Sequence, residues 1–217
     1  MRTQKELSAQ RLLAAAQTVA SIQLDYARSG TSLARAAMAG ASVLEPLRHY
    51  PARDVSDAAA QTRFYYHAHP SRRYPEAEHG HFHLFYYPPQ SDAAVAGGTP
   101  FFHLAGLSLD AKGQPLRWFT TNRWVTGEHW HAAHAMLPTL AGFEVRTHGR
   151  LAPVALWLGA MVRLFEPQIA TLIRRRDQLM TRHIAQQGRE AAFENRQLDV
   201  VSECRIDLSA RIRQLSL

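Results

Sequence analysis

Residues 63–87 read RFYYHAHPSRRYPEAEHGHFHLFYY, two aromatic runs on either side of a loop rich in proline and charge. Each run has the length and composition of a β-strand. Two later runs, at 101–109 and 116–121, have the same character, and no helix of ten residues fits between any two of the four runs. The linker DAKGQP at 110–115 is typical of a short hairpin turn. The pattern predicts a central antiparallel meander of about four strands.

Helical patterns flank these runs at both ends of the chain. Thr3 and Glu6 have the spacing of a capping box, which predicts a first helix that ends near Gly30. A second helix is expected at about 31–44, before HYPARDVSD at 49–57, whose Pro and Asp residues predict a turn. The fold class is therefore α+β, with N-terminal and C-terminal helices around the meander.

The C-terminal part is predicted to be helical from Gly127 or Glu128 to 140, and again after Pro153 and after Pro167. The stretch 199–206 is a candidate edge strand. We expect one domain over residues 1–217, in which a helical segment 1–57 precedes a histidine-rich sheet 58–125 and a helical segment 126–217. The chain shows no internal repeat and no low-complexity linker.

The charge of the chain says little about a partner. The formal net charge is +7, and 23 of the 25 basic residues are arginine, because only Lys5 and Lys112 are lysine. These arginines are dispersed along the chain, with one tight run at 174–176, so the sequence argues against nucleic acid as a partner and leaves it the weakest alternative.

Compartment and disulfide content follow from two simple features. Cys204 is the single cysteine, which excludes an intramolecular disulfide and a thiolate zinc cluster. The first residues lack the apolar core of a signal peptide, and the apolar stretch 151–165 is too short to span a membrane and contains Arg163. We expect a cytoplasmic protein that does not insert into membranes, with 151–165 as a buried helix.

Histidine is the unusual component. Nine of the 12 histidines fall within residues 67–134, and four of them form two His-x-His pairs in the first two predicted strands. Side chains two residues apart share a face of a strand, so each pair points to one face. A hairpin centred in the 70–80 loop places position 69 opposite 81 and position 67 opposite 83, with Cβ atoms about 5 Å apart. Pairing His83 with His103 would extend the row to a third strand. His49, His148 and His183 lie outside this window and are taken as structural.

This arrangement predicts a metal site. Neutral imidazole binds zinc, copper, nickel and iron, and a carboxylate commonly completes the set. The predicted ligands are His67, His69, His81, His83 and Glu128, with Glu78 as the other candidate carboxylate. Iron and zinc are the first candidates for the metal. Two alternatives stay open, namely histidines with a purely structural role and a metal-free cluster for acid–base catalysis or pH sensing.

The segment TTNRWVTGE at 120–128 offers groups that could anchor a substrate. Arg123 has the planar donor fork that suits a carboxylate or phosphate, and Asn122 and Trp124 could orient and stack on a ligand. Tyr66 is predicted to line the same pocket, and Glu128 and Arg123 are the predicted catalytic residues. The competing interpretation is a capped helix start in which Arg123 forms a structural salt bridge.

The strings HYPxxDVxD, YYHAH, EHGHFHLF and TTNRWVTGE together resemble an uncharacterised, mainly proteobacterial family of unknown function. The resemblance covers most of the chain and implies a coherent bacterial family without an assigned activity or cofactor. The chain contains no Walker P-loop, HExxH or GxSxG motif.

The functional prediction is a metal-dependent enzyme, a hydrolase or an oxidoreductase, that acts on a small polar or anionic molecule. The alternative is a non-catalytic module that senses a ligand, a metal or pH. A small-molecule ligand is the expected partner, and homo-oligomerisation stays open.

Overall fold

The computed structural model describes residues 3–69, 78–88 and 101–215. Its centre is one antiparallel sheet whose six strands lie in the order in which they occur in the chain. The strands are β1 (Tyr50–Asp57), β2 (Thr62–His67), β3 (Gly80–Tyr86), β4 (Phe102–Leu109), β5 (Pro115–Thr121) and β6 (Val200–Arg205). The α+β class and the meander are confirmed, although the sheet has six strands where the sequence predicted about four.

Helices precede and follow the sheet. They are α1 (Gln4–Arg28), α2 (Leu33–Ala37), α3 (Arg123–Thr126), α4 (Ala133–Leu140), α5 (Ala152–Gln187), α6 (Arg189–Phe193) and α7 (Leu208–Leu215), with a 3₁₀ turn at Gly149–Leu151. The predicted capping box at the start of α1 is present, because the Glu6 amide donates to the Thr3 hydroxyl and the Glu6 carboxylate accepts from the Thr3 amide. Gly30, at φ +66°, lies just after the end of α1.

The prediction of a turn at 49–57 is wrong, since Tyr50–Asp57 form β1. The strand lies at the edge of the sheet, which is where a proline, with no N–H to donate, is tolerated. Its register with β2 shifts between Tyr50 and Val55, and both of these side chains are buried. An irregular edge strand of this kind carries the same Pro and Asp residues as a turn, so the local pattern does not separate the two.

The predicted helix start at Gly127 or Glu128 is also wrong. Gly127 has a φ of +67° and ends α3, in the left-handed conformation typical of glycine after a helix. The next helix begins only at Ala133. Glu128 therefore lies in the connection between two helices rather than in a first helical turn.

The two faces of the sheet have different neighbours, because alternate side chains of a strand point to opposite sides. One face packs against α5, and we call it the helical face; it carries Phe64, Tyr66, Phe82, Leu84 and Trp118. The Phe82 and Trp157 rings meet there with centroids 6.5 Å apart. The other face, the histidine face, carries Tyr65, His67, His81, His83, Phe85 and Phe119, and none of these belongs to the main apolar core.

The central helix α5 is the most apolar part of the chain. The stretch Gly149–Gln187 is long and apolar enough to cross a membrane by length and composition, with a mean hydropathy of 1.2 over its most apolar window. However, 61% of that window is buried inside the protein, which is the packing of a core helix and agrees with the predicted buried helix at 151–165. Phe165 has non-helical angles just before Pro167, so the two predicted helices form one element with a kink.

Candidate metal centre

Three imidazoles meet on the histidine face, where β2 and β3 pair. The Nε2 atoms of His67 and His81 are 2.8 Å apart, and those of His67 and His83 are 3.1 Å apart. One ring nitrogen from each side chain lies within 4.8 Å of the others, and within the described part of the chain no other Cys, His, Asp or Glu joins this group. All three side chains are buried. We call His67, His81 and His83 the histidine triad.

The strand register that brings them together differs from the predicted one. His67 lies opposite His81, and Tyr65 lies opposite His83, so the predicted pairs of 69 with 81 and 67 with 83 are wrong. The difference is two residues, which is the repeat of side-chain direction along a strand. The predicted face is therefore correct although the predicted partners are not.

His103 joins the row from β4, but not as the direct partner of His83. A bulge shifts the β3–β4 register, so Phe85 lies opposite His103 and Gly106 lies opposite His83. The His103 side chain reaches diagonally, and its Nε2 atom is 2.9 Å from Nδ1 of His83. The expectation of a third strand in the row is met by this diagonal contact.

A carboxylate behind His81 sets the tautomer of that ring. Nδ1 of His81 donates to Oε1 of Glu78 at 2.6 Å, and Arg117, which is also bound to Glu203, donates to the other oxygen at 3.3 Å. Burial alone would raise the pKa of Glu78, but the hydrogen bond from His81 and the charge of Arg117 outweigh it and hold the pKa below its ordinary value. An ionised Glu78 accepts the Nδ1 proton, which leaves the lone pair of His81 on Nε2, facing His67.

A second chain of hydrogen bonds lies behind His83. Nδ1 of His83 contacts Nε2 of His103, and Nδ1 of His103 contacts the Thr121 hydroxyl at 3.0 Å. When the hydroxyl accepts the His103 proton, His103 in turn accepts the Nδ1 proton of His83. In that tautomer the lone pair of His83 lies on Nε2, as it does in a neutral His81, and both lone pairs point toward His67. In the reverse tautomer Thr121 donates to His103, His103 donates to His83, and Nε2 of His83 donates to His67.

In the tautomer that places lone pairs on Nε2 of both His81 and His83, the hydrogen bonds of the triad are incomplete. Nε2 of His67 carries either one proton or one lone pair, so it cannot form a separate hydrogen bond with each of two neighbouring lone pairs. A cation that accepts three lone pairs satisfies all of them. Imidazole nitrogens bound to one zinc at about 2.0–2.1 Å are about 3.3 Å apart at a tetrahedral angle and about 2.9 Å apart at 90°. The observed separations of 2.8 and 3.1 Å lie close to these values.

The protonation of the triad also suits a metal. Burial, followed by the charges of neighbouring histidines, lowers the pKa of His67 to about 2. The same causes hold the pKa of His83 well below its ordinary value. Since only neutral imidazole binds a metal, these two ligands need not lose a proton at neutral pH.

Aromatic rings hold the imidazoles in place. Phe119 lies across Gly106 on the neighbouring strand, where a Cβ atom would overlap the ring. Its ring centroid is 5.2 Å from that of His81 and 5.8 Å from that of His83. On the other side, the Tyr65 centroid is 5.2 Å from both His67 and His83. The rings restrict the rotamers of the triad and exclude water from it.

Two further histidines lie beside the triad. The ring of His69, a predicted ligand, is centred 4.7 Å from His67 and 5.2 Å from His81, but its nitrogens do not join the triad. His49 stacks on Tyr65 at 3.7 Å, contacts the His67 ring edge at 5.7 Å and donates from Nδ1 to Asp54 at 3.0 Å. The side chain of His49 is 39% exposed, so His49 lies between the buried triad and the protein surface.

The structure does not bring the other predicted ligand, Glu128, or Tyr66 to the triad. Tyr66 lies on the helical face, fully buried, with its hydroxyl 2.8 Å from Nδ1 of His79. The Oε2 atom of Glu128 accepts from the His103 amide at 2.7 Å, and the His103 side chain in turn contacts His83 of the triad. Tyr65, one residue before Tyr66 and on the opposite face, occupies the position beside the triad.

The predicted substrate-binding residues of 120–128 have mainly structural partners. The Asn122 side chain is buried, where it accepts from the Arg123 amide and donates to the Ala192 carbonyl. The Arg123 guanidinium donates to Glu190 and Glu194 at 2.5 and 2.7 Å. Trp124 donates from its indole to the Leu198 carbonyl. These contacts match the competing interpretation of a capped helix start with a salt bridge.

Comparison with known proteins gives a family but no activity. The family described as Domain of unknown function (DUF6969) matches residues 13–206. The chain belongs to the DUF6969 family. No curated protein and no solved structure matches the chain.

Sequence analysis missed several residues of this site. Tyr65 shares its face with His67 because side chains alternate along a strand, so the strand pattern already indicates that Tyr65 lies on the histidine face. Phe119 and Thr121 show their role only when the β4–β5 register is known. His49 is 18 positions from His67 in a segment predicted as a turn, and nothing local connects the two.

Proposed function

We propose that this DUF6969 protein is a metal-dependent enzyme whose metal ion is held by His67, His81 and His83 and which acts on a small polar or anionic molecule. The observation that supports this most directly is the convergence of the Nε2 atoms of three buried imidazoles, with Glu78 hydrogen-bonded behind His81 and His103 behind His83. Three protein ligands are the usual set of a catalytic zinc site, in which a further position holds water or substrate.

The charge of the site favours an anionic or polar substrate. All three ligands are neutral, so a divalent ion keeps its full charge, and Glu78 is offset by Arg117. Such an ion polarises a carbonyl or phosphoryl oxygen or lowers the pKa of bound water, and an iron ion would also support oxygen chemistry. Zinc and iron remain the candidate metals, and hydrolase and oxidoreductase the candidate classes.

The residues beside the triad supply the groups that would meet a substrate. His49 is oriented by Asp54 and partly exposed, while His69 and Tyr65 complete the surroundings. The proposal thus moves the substrate contacts from 120–128 to this rim. It keeps the cytoplasmic location, which the single cysteine and the burial of the apolar helix support.

The alternative is a non-catalytic metal- or ligand-sensing module. The observation that favours it is the burial of the triad, with only 6%, 1% and 1% of His67, His81 and His83 exposed. A metal in such a site would exchange slowly and would stabilise the fold.

Metal content tests the proposal first. The protein is purified without a histidine tag or a metal-affinity column and analysed for bound elements. We expect about one metal ion per chain in the wild type and loss of that metal in a His81→Ala, His83→Ala variant. The control is His129→Ala, His134→Ala, which removes two exposed histidines outside the triad. Sub-stoichiometric metal that does not fall further in the first variant would contradict the proposal.

Turnover then separates the enzyme from the sensing module. The metal-loaded protein is offered carboxylate and phosphate esters, and its iron form is tested for oxygen consumption. Metal-dependent turnover that disappears with His81→Ala, His83→Ala supports the enzyme. Metal-dependent thermal stabilisation, with every substrate unchanged, supports the sensing module.

A further inference from the structure

The two edges of the sheet differ in how readily they can pair with another strand. At one edge, β1 carries Pro51 and an irregular register, two features that discourage pairing with a further chain. At the other edge, β6 contains no proline, and its register with β5 is regular from Ser202 to Arg205. Within the described part of the chain, β6 pairs only with β5. We call residues 202–205 the β6 edge.

The backbone of the β6 edge points alternately toward β5 and away from it. The Ile206 amide donates to the Leu116 carbonyl, which lies directly across on β5. Because hydrogen-bonded pairs alternate along an antiparallel ladder, Cys204 also bonds to β5, whereas the N–H and C=O groups of Glu203 and Arg205 point outward. No other backbone group of the described residues bonds to these outward groups. Unpaired groups of this kind are a template for a further strand.

After β6 the chain turns to the helical side of the sheet. Leu208 of α7 is buried in the main core, and Arg211 of α7 donates to the Leu164 carbonyl of α5. On the β6 edge the Glu203 side chain is 55% exposed, and Arg205 is exposed as well. A second protein chain can therefore contact both of these charged side chains.

The charges at the β6 edge are not balanced within one chain. Arg205 lies opposite Arg117 on β5, so two cations are neighbours on the same face of the sheet. Arg117 is bound to Glu78 and Glu203, whereas Arg205 forms no ion pair with any described residue. Like charges directly opposite each other on two strands are destabilising. A further carboxylate beside Arg205 would offset this repulsion.

A second copy of the β6 edge supplies that carboxylate in one register. In an antiparallel pair of β6 strands centred on Cys204, Glu203 of each copy lies opposite Arg205 of the other. Registers centred on Glu203 or on Arg205 place like charges opposite each other, which disfavours them. The register centred on Cys204 also aligns the outward backbone groups of Glu203 with those of Arg205, so charge and hydrogen bonding select the same alignment.

We propose that this protein forms a symmetric dimer in which the β6 edges of two copies pair antiparallel, with Cys204 of both copies at the two-fold axis. The two six-stranded sheets then become one continuous sheet. Because antiparallel strands of one sheet are related by rotation about the sheet normal, the histidine faces of both copies lie on the same side. The dimer uses no residue of the triad, so it forms whether or not the triad binds a metal.

Sedimentation equilibrium of the full-length protein tests the proposal. We expect a species of twice the chain mass for the wild type, and an association weakened by about tenfold or more for Arg205→Glu and for Glu203→Arg, because each variant places like charges opposite each other. An equimolar mixture of these two variants should form a heterodimer, since opposite charges then meet at both positions. The control is Arg53→Glu, at an exposed position of the other edge strand, which should change the association by less than about twofold.

A measurement on the wild type keeps the test informative if Glu203→Arg fails to fold by circular dichroism. The proposed register makes the two Cys204 residues a pair without mutual hydrogen bonds, with Cα atoms about 4.5 Å apart, which is within reach of a disulfide. Mild oxidation should therefore link two chains, and Cys204→Ser should abolish the link. His81→Ala should lose the metal and still dimerise, so failure of one proposal is distinguishable from failure of the other.

Three results would overturn the proposal. The first is a wild type that stays monomeric up to millimolar concentration, which would leave the β6 edge to a different partner or to none. The second is a dimer that Arg205→Glu does not weaken. The third is a dimer that oxidation does not link through Cys204, because that dimer would use another register or another surface.

Discussion

Nε2 of His81 lies 2.8 Å from Nε2 of His67, while Nδ1 of the same ring donates to Glu78 at 2.6 Å. The ring is therefore held from both ends, by a carboxylate on one side and by the meeting point of the triad on the other. Carboxylates in this position orient metal-binding histidines and make them more basic. Glu78 would thus act on a metal bound at the triad through His81, without touching the metal.

Replacement of Glu78 by Gln should weaken metal binding by about 10- to 100-fold, because the amide no longer fixes the Nδ1 proton of His81. Competition with a chromophoric chelator measures the affinity. The control is Glu203→Gln, which removes the other carboxylate bound to Arg117, one whose side chain is 55% exposed. Equal metal affinity in the wild type and the Glu78→Gln variant would refute an orienting role.

Replacement of Gly106 by Ala should destabilise the fold by about 1–3 kcal/mol, because the new methyl group overlaps the Phe119 ring. Metal affinity should fall as well, since that ring contacts His81 and His83. Urea unfolding measures the first effect. Gly142→Ala is the control, because its added Cβ meets nothing nearer than the Thr139 carbonyl at 4.0 Å. Similar stability of the two variants would argue against the close packing of Phe119 on Gly106.

The metal-free protein should lose stability as the pH falls below about 6.5. Burial lowers the pKa of His67 to about 2 and that of His103 to about 3, and it holds the pKa of His83 well below 6.5. The unfolded chain binds these protons and the folded chain does not, so their stabilising contribution is present above pH 6.5 and is lost on acidification. Each group contributes up to about 1.4 kcal/mol per pH unit.

Glu128 acts in the opposite sense. Burial raises its pKa to about 7, so its contribution is full below its ordinary pKa of 4.5 and is lost as the pH rises through 7. Three histidines outweigh one carboxyl group, and the net change on acidification is a loss. Denaturant unfolding at pH 6.5 and 5.5 measures it. His83→Ala should reduce the pH slope, and an unchanged slope would contradict the assignment.

Replacement of Asn122 by Ala should lower the free energy of unfolding by about 1–3 kcal/mol and leave metal content unchanged. The variant loses the helix cap on α3 and leaves the buried Ala192 carbonyl without its donor. Thermal unfolding and elemental analysis measure the two effects. Asn195→Ala, which removes a more exposed turn hydrogen bond to the Gln197 amide, should have a smaller effect. Loss of activity without loss of stability would instead assign Asn122 to substrate binding.

The predictable part of this site is the part determined by strand periodicity. The pattern HFHLFYY assigns His81 and His83 to one face whatever the partner strand is, and that assignment is correct. The register is a different matter, because it depends on the geometry of the connection and on bulges such as the one that places Phe85 opposite His103. A shift of the register by two residues changes the cross-strand partner of every residue but leaves each side chain on the same face of the sheet.

The unpredictable part depends on elements distant in sequence. β1 is an edge strand with the composition of a turn, so nothing in the sequence indicated that His49 lies near the triad. By its place in the sequence Glu128 could lie in a first helical turn. In the structure the positive φ of Gly127 ends α3, and the next helix begins only at Ala133. Thr121 acts on the triad only through His103, and that contact depends on the alignment of β4 with β5.

Along β3 the side chains at even positions pack in the core, and those at odd positions lie on the histidine face. Substitutions at 82 or 84 alter the packing against α5, whereas substitutions at 81 or 83 alter the donor atoms on the other side. The donor atoms of the histidine face can therefore change during evolution while the packed face stays as it is. The same separation makes this sheet a scaffold on which a different coordination set can be installed without a new core.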